Sequence, residues 1–239
     1  MMKRSPEEIA ALRESFRKMD TAHKAEYIYM YYKWFILLGL VALVILGNTL
    51  HRQLTKKDVT LYLGLANVSI GTELEQTVTV DFLEWLGQNP KKNEVLVYKG
   101  LYLSANASTE DHQYAYASKM KVMAAVNAQR LDVVLMNREA YDLLSRSGYL
   151  LPLAELPENL TPYLTENEVI LEDNSIDVQL NNAEEYRIVT QTAVNGLNVS
   201  EFPLFRDAGF DGAVYIGFLA NIPHYDTAVS YLEYLIACG

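Results

Sequence analysis

The chain has 239 residues, half of them hydrophobic, which is enough material for one well-buried domain. Its formal net charge of −10 is unevenly spread, because residues 51–239 hold 13 Lys/Arg against 25 Asp/Glu, a net charge of −12. A domain this acidic is a poor candidate for binding nucleic acid or an anionic lipid surface. The single cysteine, Cys238, excludes an internal disulfide and a cysteine-based zinc site.

The N-terminal segment, residues 1–33, has a net positive charge, with seven Lys/Arg and five Asp/Glu. Ser5 is a natural N-cap, Pro6 suits the first helical position, and Glu7 and Glu8 favour the positive end of a helix dipole. The sequence therefore predicts a short amphipathic helix here, on the cytoplasmic side of a membrane.

The next segment, residues 34–50, reads WFILLGLVALVILGNTL and contains 17 residues without a charge. As a helix it spans roughly 25 Å, close to the thickness of a bilayer core. The preceding residues YIYMYY add an aromatic belt of the kind found at the level of the lipid headgroups. We therefore expect an uncleaved single-pass transmembrane anchor.

Three other interpretations of this segment fit less well. A signal peptide needs a short basic n-region and a small-residue cleavage site, and GNTLHRQ offers no convincing site. A lipoprotein needs a cysteine just after the apolar run, and a buried core helix is rarely apolar on every side.

The positive-inside rule modestly favours a cytoplasmic N-terminus, which leaves the acidic domain, residues 51–239, extracytoplasmic.

After the anchor, the pattern alternates between strands and helices. Residues 59–67 predict a strand, and Thr72 to Glu75 has the form of a capping box that opens a helix ending at Gly87. Residues 94–103 predict a second strand or a strand pair, and residues 111–130 predict a long helix. The stretch DVVLM, residues 132–136, is continuously apolar, which is typical of a strand covered on both faces.

This β-α-β-α-β-α order predicts an α/β fold, a three-layer open and mostly parallel sheet with helices on both faces. Residues 152–185 are acidic and rich in loop signals. Alternation at residues 176–180 and 187–192 predicts a hairpin. Residues 213–221 predict a further core strand, and an amphipathic helix closes the chain.

Two stretches resemble bacterial extracytoplasmic solute-binding proteins of the type 2 periplasmic-binding fold. They are MAAVNAQRLDVVLMNREAYDLLSRSGYLLPL and AVYIGFLANIPHYDTAVSYLEYL, and the likeness covers about residues 58–153 and 210–237. In that family two lobes enclose the ligand. Only about 55 residues separate the matching parts here, too few for a full second lobe, so the resemblance implies one lobe with a small hairpin, on a transmembrane anchor.

Ligands of open α/β sheets bind at the carboxyl ends of the strands. That rule selects the following candidate ligand-binding residues: Asn67, Ser69, Thr72, Tyr102, Asn137 and Arg138. The same residues also fit ordinary roles as helix caps and turn residues. No catalytic motif, dinucleotide fingerprint or calcium loop is present, and the four histidines lack metal spacing, so we expect no catalytic residue, cofactor or metal site.

These features favour a non-enzymatic, membrane-anchored domain that acts in interaction or scaffolding at the cell envelope, with a transporter or envelope protein as partner. The alternative is a binder or sensor of a small ligand (a sugar, amino acid or peptide) that uses the loops at the strand ends.

Overall fold

The computed structural model describes residues 7, 14, 17, 20–105, 111–156, 164–165, 169–182, 185–206 and 208–238. The helix start expected at Ser5 and Pro6 lies outside the described residues. The chain divides into two compact units, Met1–Lys56 and Lys57–Gly239. The sequence pattern instead placed its boundaries after residues 33 and 50.

The first unit is dominated by one long helix, α1 (Thr21–Thr55), whose N-cap Asp20 accepts a hydrogen bond from the Thr21 amide at 2.8 Å. Within it, Tyr32–Leu50 has a mean hydropathy of 1.9 and none of its residues are buried. Large side chains such as Trp34 and Leu43 are each 71% exposed. By length and composition this helix is able to cross a membrane, and a signal sequence shares both properties.

The second unit alternates strands with helices before ending in a hairpin, a strand and a helix. Its elements are β1 (Asp58–Ala66), α2 (Thr72–Gln76), α3 (Phe82–Trp85), β2 (Asn93–Leu101), α4 (His112–Asn127), β3 (Val133–Met136), α5 (Arg138–Arg146), β4 (Ile170–Asn182), β5 (Glu185–Asn198), α6 (Pro203–Arg206), β6 (Tyr215–Phe218) and α7 (Tyr225–Ala237).

All six strands form one open sheet in the order β2-β1-β3-β6-β5-β4. The predicted α/β class and open sheet are confirmed, but the prediction that the sheet is mostly parallel is wrong. Only β1–β2 and β1–β3 are parallel pairs, whereas β3–β6, β5–β6 and β4–β5 are antiparallel. The antiparallel pairs all involve strands from the second half of the chain. Strands joined by a hairpin, such as β4 and β5, must run in opposite directions, and β6 also pairs antiparallel with both of its neighbours.

The central strand β3 shows why the core has two halves. All four of its residues are buried, as the uninterrupted apolar run predicted. Val133 and Leu135 belong to the cluster beneath α3 and α7, whereas Val134 and Met136 belong to the cluster beneath α4 and α5. Helices therefore cover both faces of the sheet, as expected for a strand whose successive side chains point in opposite directions.

The helix that follows β1 begins one residue earlier than the capping-box prediction placed it. Its N-cap is Gly71, and Glu75 pairs instead with Lys99 at 2.6 Å. Between α2 and α3 the turn widens into a π-helical segment, Thr77–Asp81. The Tyr234 hydroxyl of α7 donates to the Thr77 carbonyl at 2.9 Å, which ties the terminal helix to this irregular segment.

Two buried tyrosines provide a matched test of the core. Among the residues that the structure describes, the Tyr231 hydroxyl has no hydrogen-bond partner, whereas the Tyr141 hydroxyl lies 2.9 Å from both the Glu172 carbonyl and Asn195 Oδ1. Burial raises the pKa of both hydroxyls, so both stay neutral. We expect Tyr231→Phe to leave the free energy of unfolding unchanged or raise it, because an unsatisfied hydroxyl is removed, and Tyr141→Phe to lower it by about 1 kcal/mol.

Urea denaturation of the full chain in detergent, followed by circular dichroism, measures both variants under one condition. Equal destabilisation by the two substitutions would contradict this account of the core.

Candidate functional site

The carboxyl ends of β1 and β2 are held together by Asn67. Its backbone has a positive φ of 56°, which asparagine tolerates better than most residues. The side-chain amide donates to the Leu103 carbonyl at 2.6 Å, and its Oδ1 accepts from the Leu103 amide at 2.7 Å. The nitrogen and the oxygen of the Asn67 side-chain amide are therefore both bonded within the fold, and they hold the ends of the two strands together.

Asn137 has a similar internal role at the end of β3. It is the N-cap of α5, where its Oδ1 accepts from the Ala140 amide at 3.0 Å. The backbone N–H of Asn137 donates to the Ala66 carbonyl of β1. Since Ala66 and Met136 are paired in the sheet, Asn67 and Asn137 follow neighbouring strand ends.

Arg138 lies beside these strand ends and bridges α5 to the hairpin. Its guanidinium is 3.0 Å from Asp142 and 3.6 Å from Glu172, and it lies over the rings of Tyr141 and Tyr215 at 5.5 and 5.7 Å. A hydrogen bond to Tyr215, followed by the charge of Asp142, raises the Arg138 pKa. The side chain is about half exposed, so these contacts position it more than they stabilise the fold.

The remaining predicted residues lie near the first two strands. Ser69 and Thr72 are exposed, and Thr72 is the first residue of α2. Tyr102 is partly buried and stacks against Tyr114 at 5.9 Å. The structure thus brings Asn67 and Asn137 to adjacent strand ends, and it engages both of them and Arg138 in contacts within the chain.

A buried carboxylate that the sequence argument did not select lies at the opposite, amino end of β3. Asp132 is fully buried and accepts the Tyr62 amide at 2.7 Å and the His224 amide at 3.1 Å. His224 Nδ1 lies 3.0 Å from the same carboxylate, and the His224 ring packs 5.6 Å from that of Tyr62. One side chain thereby joins β1, β3 and the start of α7.

The local sequence held a partial signal for this cluster. An aspartate directly before a run of apolar residues covered on both faces can be drawn into the core, and a buried charge needs partners. Its partner His224 is 92 residues away, so no local pattern points to it. Because two of the groups that meet the carboxylate are backbone amides, the chemistry of Asp132 is that of a structural anchor.

The hairpin of β4 and β5 is much longer than predicted and extends beyond the sheet. Its strands have 13 and 14 residues, yet β5 pairs with β6 only at Leu197 and Asn198. The rest of β4 and β5 is paired only within the hairpin, and we call this hairpin the arm. An isolated two-stranded hairpin is marginally stable in water, so the arm needs support from another element.

Helix α5 supplies that support through a buried polar network. Tyr141 contacts Glu172 and Asn195, the Asn195 amide donates to the Ser145 hydroxyl at 2.8 Å, and Ser145 donates to the Ser175 carbonyl at 2.9 Å. The ring of Tyr141 lies over Gly196, where a Cβ atom would come within 2.5 Å of it. Only glycine at this position lets α5 approach the arm so closely.

The side of the arm turned away from α5 is solvent-exposed and partly apolar. Asn174 bonds Asp142 of α5, so residues on the opposite face of β4 and β5 point outward. We call this surface the outer face, and its described residues are Asp173, Ser175, Asp177, Ile188, Thr190, Thr192 and Val194. Ile188 is 53% exposed and Val194 is 42% exposed. The four residues from β5 are all β-branched, which suits a rigid pleated surface.

Comparisons with known protein families, with curated proteins and with solved structures find no match to this chain. The function must therefore be argued from the geometry.

The Asp132 cluster yields a direct prediction. We expect Asp132→Asn to lower the free energy of unfolding by about 2–4 kcal/mol, because an amide nitrogen replaces one oxygen that accepts buried N–H groups. The control is Asp226→Asn on the exposed first turn of α7, which should change stability by less than about 1 kcal/mol. Urea denaturation of the full chain measures both, and a loss no larger for Asp132→Asn would contradict the anchoring role.

Proposed function

We propose that this chain is a non-enzymatic, membrane-anchored domain that binds another protein through the outer face of its arm. The observation that carries the proposal is the arm itself, a long hairpin held near its base by α5 on one side and exposed on the other. Exposed apolar residues that recur on one rigid surface are typical of protein-binding sites. The partner is a transporter subunit or another protein of the cell envelope, and the role is interaction or scaffolding.

The anchor is the apolar part of α1, as an uncleaved single span with its N-terminus inside the cell and the sheet domain outside. Its length of 19 residues and its fully exposed apolar surface support this assignment. An integral anchor also fits a binding role, since it confines the domain to the surface where an envelope partner lies.

The resemblance to solute-binding proteins supports a single-lobe origin. The two stretches that carry it pack against each other, because β3 pairs with β6, and the Asn221 amide donates to the Val126 carbonyl at 2.6 Å. The arm occupies the sheet position next to β6, where we propose that it replaces a second ligand-closing lobe. Ligand capture by the strand-end loops has less support, since Asn67 and Asn137 are committed to bonds within the fold.

The orientation can be tested with the chain's single cysteine. Cys238 is exposed, and a membrane-impermeant maleimide should label it in intact spheroplasts that express the full chain. Cys238→Ser removes this labelling, and Ser5→Cys in the same background should be labelled only after the membrane is permeabilised. Labelling of Ser5→Cys but not Cys238 in intact spheroplasts would reverse the orientation.

The binding surface can be tested by charge insertion on the outer face. We expect the wild-type chain, cross-linked in membranes and purified in mild detergent, to carry a discrete partner. The double substitution Ile188→Lys and Val194→Lys should reduce the recovered partner at least about tenfold, because each lysine must be desolvated at the interface.

The matched control is Met120→Lys, which adds a charge to a residue that is 45% exposed on α4, away from the arm. It should leave recovery of the partner unchanged. A monomeric wild-type chain without any partner, or full recovery with the arm variant, would contradict the proposal.

A further inference from the structure

A groove of about 370 Å³ runs between α4 and α5, on the helical layer that also covers β3. Its floor is apolar and buried, formed by Leu103, Val122 and Leu144. Tyr116 and Tyr149 line its sides. A cavity of this size, apolar with a few polar groups, lies within the usual range of small-molecule sites.

The sequence of α4 explains how the groove arises. His112, Ala115, Tyr116, Lys119 and Val122 all line it, at spacings of three and four residues that place them on one face of the helix. The small side chain of Ala115 keeps that face from closing on α5. The groove therefore has one wall that is apolar below and cationic above.

Lys119 is the lysine that lines this groove, and its surroundings differ from those of three other basic residues. Lys99 pairs with Glu75, Arg138 pairs with Asp142, and Lys121 lies over the ring of Tyr98. In the part of the chain that the structure describes, Lys119 has no carboxylate within 4.0 Å. An ammonium without a carboxylate partner beside an apolar cavity is complementary to a single carboxylate with an apolar body.

Glu139 approaches the lining of the groove from α5, but its carboxylate is already engaged. Its Oε1 accepts from the Ser104 hydroxyl at 2.6 Å and from the Ala105 amide at 3.2 Å. These bonds direct it towards the loop after β2. Lys119 thus remains available to an outside anion.

We propose that the α4–α5 groove binds a small aromatic monocarboxylate, with the ring between Tyr116 and Tyr149 and the carboxylate at Lys119. Two tyrosines favour a flat ring over a flexible chain, since aromatic pairs gain from their geometry as well as from buried area. The groove shares no residue with the outer face of the arm. Ligand binding here is therefore independent of the proposed partner binding, and either can fail alone.

The test uses the full chain in lipid nanodiscs, with empty nanodiscs as the blank for partition into lipid. The probes are 3-phenylpropionate, its uncharged amide and octanoate, titrated to about 10 mM, where even a site with a millimolar dissociation constant is filled. NMR shifts of the Leu103, Val122 and Leu144 methyl groups report occupancy. We expect 3-phenylpropionate to bind about threefold to tenfold more tightly than either other probe.

Lys119→Gln should weaken 3-phenylpropionate to the level of the amide and leave the amide unchanged. The matched control, Lys121→Gln on the same helix but outside the groove, should bind all three probes like the wild type. Ala115→Phe should abolish binding of all probes while circular dichroism confirms that the variant is folded.

Three results would overturn the proposal: no shift with any probe, equal binding of the amide and the carboxylate, or tighter binding of octanoate. The last would assign the groove to a fatty acyl chain from lipid. Loss of probe binding in Lys121→Gln as severe as in Lys119→Gln would also overturn it, since the effect would then not depend on the groove.

Discussion

The close approach of Tyr141 to Gly196 is the constraint that fixes the arm, and with it the surface proposed for partner binding. A methyl group at residue 196 would come within 2.5 Å of the tyrosine ring, so the position must be glycine while α5 keeps its place. The contact brings the Tyr141 hydroxyl within 2.9 Å of both Asn195 Oδ1 and the Glu172 carbonyl, and water competes little for the hydrogen bond that it donates there. The arm is thereby fixed against α5 although it has almost no partner in the sheet.

This constraint gives the arm two unlike faces. The inner face is occupied by a satisfied polar network, which sets the direction of the hairpin more sharply than a purely apolar contact would. The outer face does not take part in this polar network, and its β-branched residues remain exposed. A rigid exposed surface loses little conformational entropy on binding, which is the property a docking surface needs. A fixed arm with one exposed face therefore supports the proposal that the outer face binds a partner.

The sequence predicted those parts of the fold that local periodicity encodes. The uninterrupted apolar run at β3 identified a strand covered on both faces, and helix spacing located α4 and α7. Strand direction is not encoded in this way, so β6 was recognised as a core strand while its antiparallel orientation was missed. The hairpin was located but underestimated, because the ends of β4 and β5 lack clean alternation. The capping box failed because Gly71, one residue earlier, already provides the N-cap.

The candidate site was predictable only as far as the position of the strand ends. Asn67 and Asn137 do follow adjacent strands, but their bonding partners depend on backbone groups that come together in the folded chain. The pairing of Asp132 with His224, the Tyr141–Gly196 contact and the α4–α5 groove each join segments far apart in sequence. No periodicity reports such pairings, since each depends on the packing of complete elements.

Several polar side chains at the edges of the sheet are already bonded within the fold, and this limits where a ligand or partner can bind. At the carboxyl edge of the sheet, both polar groups of the Asn67 side chain bond the Leu103 backbone, and Asn137 Oδ1 caps α5. At the amino edge, the Asp132 carboxylate bonds His224 at the start of α7. A group already satisfied by the fold has little to offer a ligand, because binding would have to break an existing buried bond. We therefore place the two proposed recognition surfaces away from the edges of the sheet, on the outer face of the arm and in the groove between α4 and α5.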